Sequence, residues 1–169
     1  MLKMSDQATE APVIELPEPA DAPVLARLFQ EDMTDLGVET ALDDLEKLAE
    51  MVIEEALSSP PRCICYVARL DEGGEAVGVV LANFHWSLKF AGRALWIEEL
   101  YVTPAARRRR LGRRLVEQVL DWAEDHGIRG IDLEAYQGNT PASILYRSLG
   151  FYRLGRERFY YRLGPAEYL

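Results

Sequence analysis

Between Leu95 and Leu115 the chain reads LWIEELYVTPAARRRRLGRRL, and few architectures accommodate such a stretch. Leu95 to Val102 is an apolar, β-rich run, which Thr103-Pro104 interrupts. An arginine-rich loop follows. Then Leu111, Leu115, Val116, Val119, Leu120 and Ala123 recur at helical spacing, up to His126-Gly127. A strand that hands a basic, glycine-containing loop to a helix N-terminus builds an anion site. Free backbone N–H groups and the positive end of the helix dipole both face such a loop. Two carboxylates, Glu98 and Glu99, stand inside the strand just before it.

The remaining chain supplies a mixed α/β frame for this unit. Residues 1–11 are polar and read as a disordered tail, leaving 12–169 as a single domain. Val13 to Leu16 is a short strand candidate. Asp21 is placed to cap a helix carrying Val24, Leu25, Leu28, Phe29 and Met33, which Gly37 ends. Met33 to Val38 suits either helix core and connector or the lining of a cleft. Thr40 with Asp43 resembles a capping box for a second helix, with Leu45, Leu48, Ala49, Val52 and Ala56 as its buried stripe. Arg62–Leu70 and Ala76–Phe84 read as a hairpin joined at Gly73-Gly74, with a further turn at Ala91-Gly92 leading into the Leu95 strand. After the arginine-bearing helix come a strand over Gly130–Tyr136 and a short helix from Thr140-Pro141 to Gly150. A terminal hairpin follows, from Phe151–Leu154 and Arg158–Leu163. The strand before the arginine helix and the strand after it are expected to be parallel, the hairpins antiparallel. The expected fold class is α/β, a mixed, mostly antiparallel central sheet with helices on both faces.

Composition narrows the function classes. At 169 residues and 49% hydrophobic content, the chain can bury a substantial core. No apolar run is long enough to cross a membrane, and the acidic N-terminus does not read as a signal peptide. Cys63 and Cys65, two residues apart on a strand, share one sheet face and read as buried, reduced thiols in a cytoplasmic setting. The formal net charge is −9, yet six arginines fall between Arg107 and Arg114. That contrast argues for a local anion site, and against nucleic acid or membrane as a partner. His126, beside a helix C-terminus, reads as a dipole partner.

Nucleotide-binding fingerprints of the GxxxxGK[ST] and GxGxxG types are absent. Arg107-Arg108-Arg109-Arg110-Leu111-Gly112 instead resembles the Q/R-x-x-G-x-G/A motif of the GNAT family of N-acetyltransferases, which wraps the pyrophosphate of acetyl-coenzyme A. Leu100-Tyr101-Val102-x-Pro104 is similar to the family's fourth strand. Asn139-x-x-Ala142, Leu145-Tyr146 and Leu149-Gly150-Phe151 resemble its second coenzyme motif. The resemblance covers roughly residues 13 to 163. It implies the acyl-coenzyme A N-acyltransferase fold and acetyl-coenzyme A as co-substrate, with no metal. Coenzyme contacts are implied at Leu100, Tyr101, Val102, Arg107, Arg108, Arg109, Arg110, Leu111, Gly112, Arg113, Asn139 and Tyr146. One position departs from the pattern. Arg110 stands where the motif has its first glycine, and arginine tolerates positive φ poorly, so an ordinary helical start with one added charge is expected there.

Acetyl transfer to an amine needs a neutral nucleophile, whereas an alkyl ammonium has a pKa near 10.4. A carboxylate can take that proton, and an acid must then protonate the departing thiolate. Backbone donors can polarise the thioester carbonyl. The resemblance implies that Tyr146 is the acid and that the fourth strand carries the base. Glu98 is the expected base and Glu99 an acceptor-binding group; in a regular strand they point to opposite faces, and a bulge would change that parity. Glu134 is the alternative base, as in protein N-terminal acetyltransferases of the family. The segment from Asn83 to Val102 is loosely similar to diamine and polyamine acetyltransferases, which makes Trp86 a candidate acceptor contact. The leading expectation is an enzyme, an acetyl-coenzyme A-dependent N-acetyltransferase acting on a primary amine such as a small cationic, polyamine-like acceptor, and it admits a homodimer. A protein N-terminal or lysine acetyltransferase is the first alternative. A non-catalytic acyl-coenzyme A-binding or interaction domain, suggested by Arg110, is the second.

Overall fold

The computed structural model describes residues 11–159 together with 161 and 163. Its elements are β1 (Val13–Glu15), α1 (Ala22–Asp35), α2 (Leu42–Ala56), β2 (Cys63–Arg69), β3 (Ala76–Ser87), β4 (Gly92–Val102), α3 (Leu111–Asp125), β5 (Ile131–Leu133) and α4 (Thr140–Ser148). The five strands form one sheet in sequence order. β1 to β4 pair antiparallel, while β4 and β5 are parallel, as the crossover through α3 requires. This is the expected mixed, mostly antiparallel sheet.

Alternation along the strands divides the apolar residues between two layers. On one face α1 and α2 bring Leu25, Leu28, Phe29, Leu45, Ala49 and Val52 against Cys65, Val67, Val79 and Leu81. On the other, α3 packs Leu111, Leu115, Val116 and Val119 on Ile64, Tyr66, Val80, Leu95 and Ile97. Each fully buried leucine or valine contributes about 1.5–3 kcal/mol relative to leaving it exposed. β2 is buried along its whole length because both layers cover it. Cys63 and Cys65 lie together on the α1–α2 face as free, buried thiols, and burial pushes both thiols up.

The end of β2 carries a buried charge, and the chain neutralises it. Arg69 sets its guanidinium nitrogens on Asp21 at 3.0 and 2.8 Å and its Nε on Glu15 at 2.5 Å, and it donates to the Gly74 carbonyl at 2.9 Å. Asp21 also accepts from the Glu18 N–H at 2.7 Å. Asp21 was expected to cap α1; its carboxylate is instead committed to Arg69, and no side chain caps that helix. Burial favours the neutral acid, but the Arg69 and Glu18 hydrogen bonds win and hold the Asp21 carboxyl below the usual range.

Several boundaries differ from the expected ones. Ala41 takes the N-cap place of α2 without a side-chain cap bond, so the Thr40–Asp43 box does not form; Asp43 and Asp44 support the helix through its dipole. Leu48 is exposed rather than part of the α2 stripe. Gly37 does end α1, at φ +72°, with the Val38 N–H reaching the Met33 carbonyl at 2.8 Å. β3 and β4 run further than the apolar pattern indicated, pairing as far as Ser87 with Gly92. Among the described residues the terminal hairpin is not formed. Residues 151–159 carry no strand, and Tyr152, Leu154 and Phe159 expose their side chains, so no apolar face is buried to support pairing. Residues 160 and 162 of its second half, and residues 1–10 of the expected 1–11 tail, lie outside the described residues. His126 accepts the expected role beside the helix end, its Nδ1 lying 2.7 Å from the Trp122 carbonyl and its ring stacked on Trp122.

Candidate active site

The site arises where β4 and β5 part. Their pairing runs only from Leu95 with Ile131 to Ile97 with Leu133, yet β4 continues to Val102. From Glu98 onward β4 pairs with β3 alone among the described residues, so its other edge presents backbone N–H and C=O groups to a wedge-shaped opening. β5 is three residues long rather than the seven anticipated over Gly130–Tyr136, and its early end makes the wedge.

A β-bulge decides which acid faces inward. Leu81 pairs with Glu99 and Ala82 with Ile97, so Glu98 is the extra residue. Before the bulge, Leu95 and Ile97 face α3; after it, Glu99 and Tyr101 face α1, on the side of Leu81. Glu98 is exposed and, among the described residues, has no ion-pair partner; Arg93 lies over the Phe84 ring instead, at 4.3 Å. Glu99 is half-buried and faces α1, from which the charge of Asp32 acts on it. Burial first, then the charge of Asp32, push Glu99 up to about 9, against a smaller opposing effect from the Leu100 N–H. Asp32 is itself raised, by burial and by Asp35. Nothing in the sequence pattern singled out Asp32, because an acid on the polar side of a helix is the commonest kind of surface residue.

Tyr146, from α4, stands on the same opening, with its ring edge-on to Phe151 at 5.9 Å. Burial and then the charges of Glu99 and Asp32 push its hydroxyl up to about 12, so it carries its proton at neutral pH. Tyr101 is buried and donates its hydroxyl to Glu31 at 3.1 Å, which makes its side chain a brace between β4 and α1. An open cleft of about 380 Å³ lies there, lined by Gln30, Glu31, Thr34, Asp35, Tyr101 and Thr103. Thr34 and Asp35 come from the Met33–Val38 stretch, which thus contributes to a cleft as well as to the helix.

The basic loop has divided its charges. Arg107 donates to the Val102 carbonyl at 2.9 Å and lies over the Tyr101 ring; Arg113 reaches Glu117 and Ser148; Arg114 holds the Pro12 carbonyl at 2.6 Å. Arg108, Arg109 and Arg110 are exposed and have no side-chain partner among the described residues. Arg110 does not begin an ordinary helix. It is the N-cap of α3 at φ 60°, ψ 18°, and Arg108 also has φ 65°. The chain therefore keeps the left-handed loop that glycine usually serves, and accepts about 1–2 kcal/mol of backbone cost for arginine there. No side chain caps α3, so the N–H groups of Leu111, Gly112 and Arg113 are left for an outside acceptor. Three unpaired guanidinium groups beside uncapped N–H groups fit a pyrophosphate.

Other expected site residues fall elsewhere. Trp86 is 80% exposed and pairs with Arg93, five residues along β3 from Leu81, or roughly 17 Å from Glu99 at strand spacing. Glu134 lies beyond β5 and is bound to Arg158 at 2.6 Å. Asn139 caps α4, its side-chain oxygen accepting from the Ala142 N–H at 3.2 Å. Among the described residues no group of three potential ligands is placed to hold a metal, and no helix is long and apolar enough to cross a membrane.

This fold and opening are those of an acyltransferase class, and comparison with known proteins agrees. Residues 24–151 match the model of the acetyltransferase (GNAT) family. An uncharacterized N-acetyltransferase of Schizosaccharomyces pombe is 30% identical over 152 residues, covering 89% of this chain and 86% of that one. The thialysine N-epsilon-acetyltransferase of Bos taurus is 31% identical over 122 residues, 64% of this chain and 71% of that one. An aminoglycoside N-acetyltransferase solved with coenzyme A superposes with a TM-score of 0.75 at 18% identity, over 92% of this chain and 97% of that chain. The chain belongs to the GNAT family and is an acetyl-coenzyme A-dependent N-acetyltransferase.

Proposed function

We propose that this enzyme acetylates a small, cationic primary amine, with Glu99 taking the proton from the acceptor and Tyr146 giving one to the departing thiolate. The observation that carries the reading is the bulge at Glu98, which leaves that residue exposed and turns Glu99 to the α1 side of the sheet. Glu98, the base expected from the sequence, is then the less suitable of the two. Glu31, Asp32 and Asp35 give the α1 side of β4 a negative potential that attracts an ammonium group. The name of the Bos taurus relative, an acetyltransferase of an amino-acid side-chain amine, points in the same direction.

Arg108, Arg109, Arg110 and the N–H groups opening α3 would hold the coenzyme pyrophosphate, as the sequence resemblance implied. Along β4, the unpaired edge after Ile97 offers N–H donors toward the thioester carbonyl, and stabilising the oxyanion there would supply about 3–4 kcal/mol. Bound acetyl-coenzyme A supplies the activated acyl group. A protein N-terminal or lysine acceptor, with Glu134 as base, is the second reading; the Glu134–Arg158 ion pair speaks against it.

The test is an acceptor panel of diamines, amino acids with side-chain amines, and short peptides, read by thiol release from acetyl-coenzyme A. Small diamines or side-chain amines are expected to react, and peptides with free N-termini not to. Exclusive reaction with peptides would overturn the proposed acceptor, and unchanged kcat in Glu99→Gln would overturn the proposed base.

A further inference from the structure

Leu95 and Ile97 face α3, so Trp96 between them faces the α1 side, to which Glu99 also turns after the bulge. The register makes the two residues neighbours on that face. Trp96 stands opposite Asn83 and Glu99 opposite Leu81, two residues apart on β3, or about 7 Å at strand spacing. On β3 the core beneath α1 and α2 reaches Leu81; Asn83, the next residue on that face, is exposed, and Trp96 is only half-buried. The indole therefore lies beyond the helical layer.

A cation already occupies it. The Arg158 guanidinium lies over the Trp96 ring at 4.5 Å and is bound to Glu134 at 2.6 Å. An aromatic face backed by a carboxylate is an arrangement that holds an ammonium or guanidinium group. Glu134 follows Leu133, the last residue of β5 and the partner of Ile97, so it stands where the two strands part. Asp132, opposite Trp96 on β5, is committed to Lys89, which leaves Glu134 as the carboxylate for this ring. Arg158 is loosely anchored by comparison. Its side chain is about half exposed, and among the described residues the stretch from Tyr152 to Phe159 joins no strand and makes no backbone hydrogen bond. Tyr152, Leu154 and Phe159 also expose their side chains, so Arg158 can leave the ring without breaking a ladder or a core contact.

We infer that Trp96 and Glu134 form a binding site for a second cationic group of the acceptor, which Arg158 fills in this structure and gives up to a diamine. This rests on the reading of the acceptor as a small cationic amine and deepens it by saying how such an acceptor is recognised. With one ammonium group on the indole and Glu134, the other amine reaches Glu99, since a flexible stem of about four carbons, as in lysine, spans the interval. Glu134 then serves as a charge partner and takes no proton. An acceptor with a single amine cannot fill both places, so selectivity favours two cationic groups on one stem.

The test uses cadaverine and pentylamine, which share a carbon stem and differ by one cationic group. Cadaverine is titrated into the full chain without coenzyme, and the 15N indole resonance that Trp96→Phe removes is followed by NMR. A saturable shift is expected in the wild type, with a midpoint at least threefold lower in Arg158→Ala, which alters an exposed residue. Absence of a shift would overturn the site, and equal midpoints would overturn the exchange with Arg158. Thiol release from acetyl-coenzyme A gives a second readout. The ratio of KM for cadaverine to KM for pentylamine is expected to fall at least threefold in Arg158→Ala and to rise in Trp96→Leu; a ratio unmoved in both would overturn the proposal. The outcome is separable from the assignment of the acceptor. A shifted indole without acetyl transfer to either amine would keep the cation site and remove the acceptor reading, whereas transfer to both with equal KM and no indole shift would keep the acceptor reading and remove the site.

Discussion

The Tyr101 hydroxyl donates to Glu31 Oε2 at 3.1 Å, and this single bond ties the sheet strand beneath the site to the helix that supplies Asp32. The phenol ring is buried and Arg107 lies over it at 5.5 Å, so one residue connects β4, α1 and the basic loop. Tyr101→Phe keeps the ring and removes the bond. Because Glu31 is exposed and can return to water, a loss of about 1 kcal/mol is expected in urea unfolding. Since the bond holds α1 against the side of β4 that Glu99 faces, kcat is expected to fall more than this small stability change explains.

Arg110 offers a substitution that separates backbone cost from charge. Glycine at φ 60° removes the left-handed penalty, so Arg110→Gly is expected to gain about 1 kcal/mol of stability. It also removes one of three unpaired cations, and coenzyme A binding measured by calorimetry is expected to weaken severalfold, more at low salt than at high. Arg110→Ala loses the charge and keeps the strain. Equal stability of the two variants would show that the loop relaxes out of the left-handed region.

Asn139 combines a helix cap with a motif position. Asn139→Ala removes the acceptor for the Ala142 N–H, and a cost of about 1 kcal/mol is expected. Asn139→Ser retains a capping oxygen and loses the amide donors without adding charge. Wild-type stability with weakened coenzyme binding in the serine variant would assign the side-chain nitrogen to the coenzyme.

Glu99 should leave a signature in the pH dependence of stability. Its folded carboxyl is raised from near 4.5 to about 9, so between those values the native state binds more protons than the unfolded one. By linkage, its contribution is full below about 4.5 and is lost as pH rises toward 9. The Glu99→Gln variant is expected to unfold at a midpoint less dependent on pH across that window, as read from guanidinium unfolding at several pH values. The Asp21–Arg69 pair has the opposite sign. The folded Asp21 carboxyl lies below its unfolded value, so its contribution is present above about pH 4 and is lost as pH falls through the folded value.

Tyr146→Phe removes the proposed acid and retains the edge-on contact with Phe151. A fall in kcat of about 10²–10⁴-fold is expected, with little change in coenzyme A affinity. Glu98→Gln, at the exposed bulge, is expected to change kcat less than threefold.

Much of the architecture was legible along the chain because burial imprints periodicity. The alternation in β2 and β3 and the helical stripe of α3 each record which side faces a core, and Gly37 recorded a left-handed turn. The arginine cluster beside a glycine, with Asn139 and Tyr146 downstream, carried the family and its coenzyme. Local pattern was less informative where a side chain had two possible partners. Asp21 had the composition of a helix cap but serves a buried Arg69 that lies 48 residues away. The similarity that made Trp86 a candidate acceptor contact carried no information on its distance from Glu99, which the β3–β4 register sets.

The family and the sheet with its two helical layers were determined by the sequence itself, since each depends on spacing within a few adjacent elements. Which of the two acids turns to the α1 side was decided by tertiary structure. A bulge adds one residue to one strand and reverses the parity of everything after it, and no property of Glu98 or Glu99 reveals on which side of them it falls. The raised carboxyl of Glu99 depends in turn on burial and on the charge of Asp32, 67 residues earlier, and both come from layers that only the assembled fold brings together.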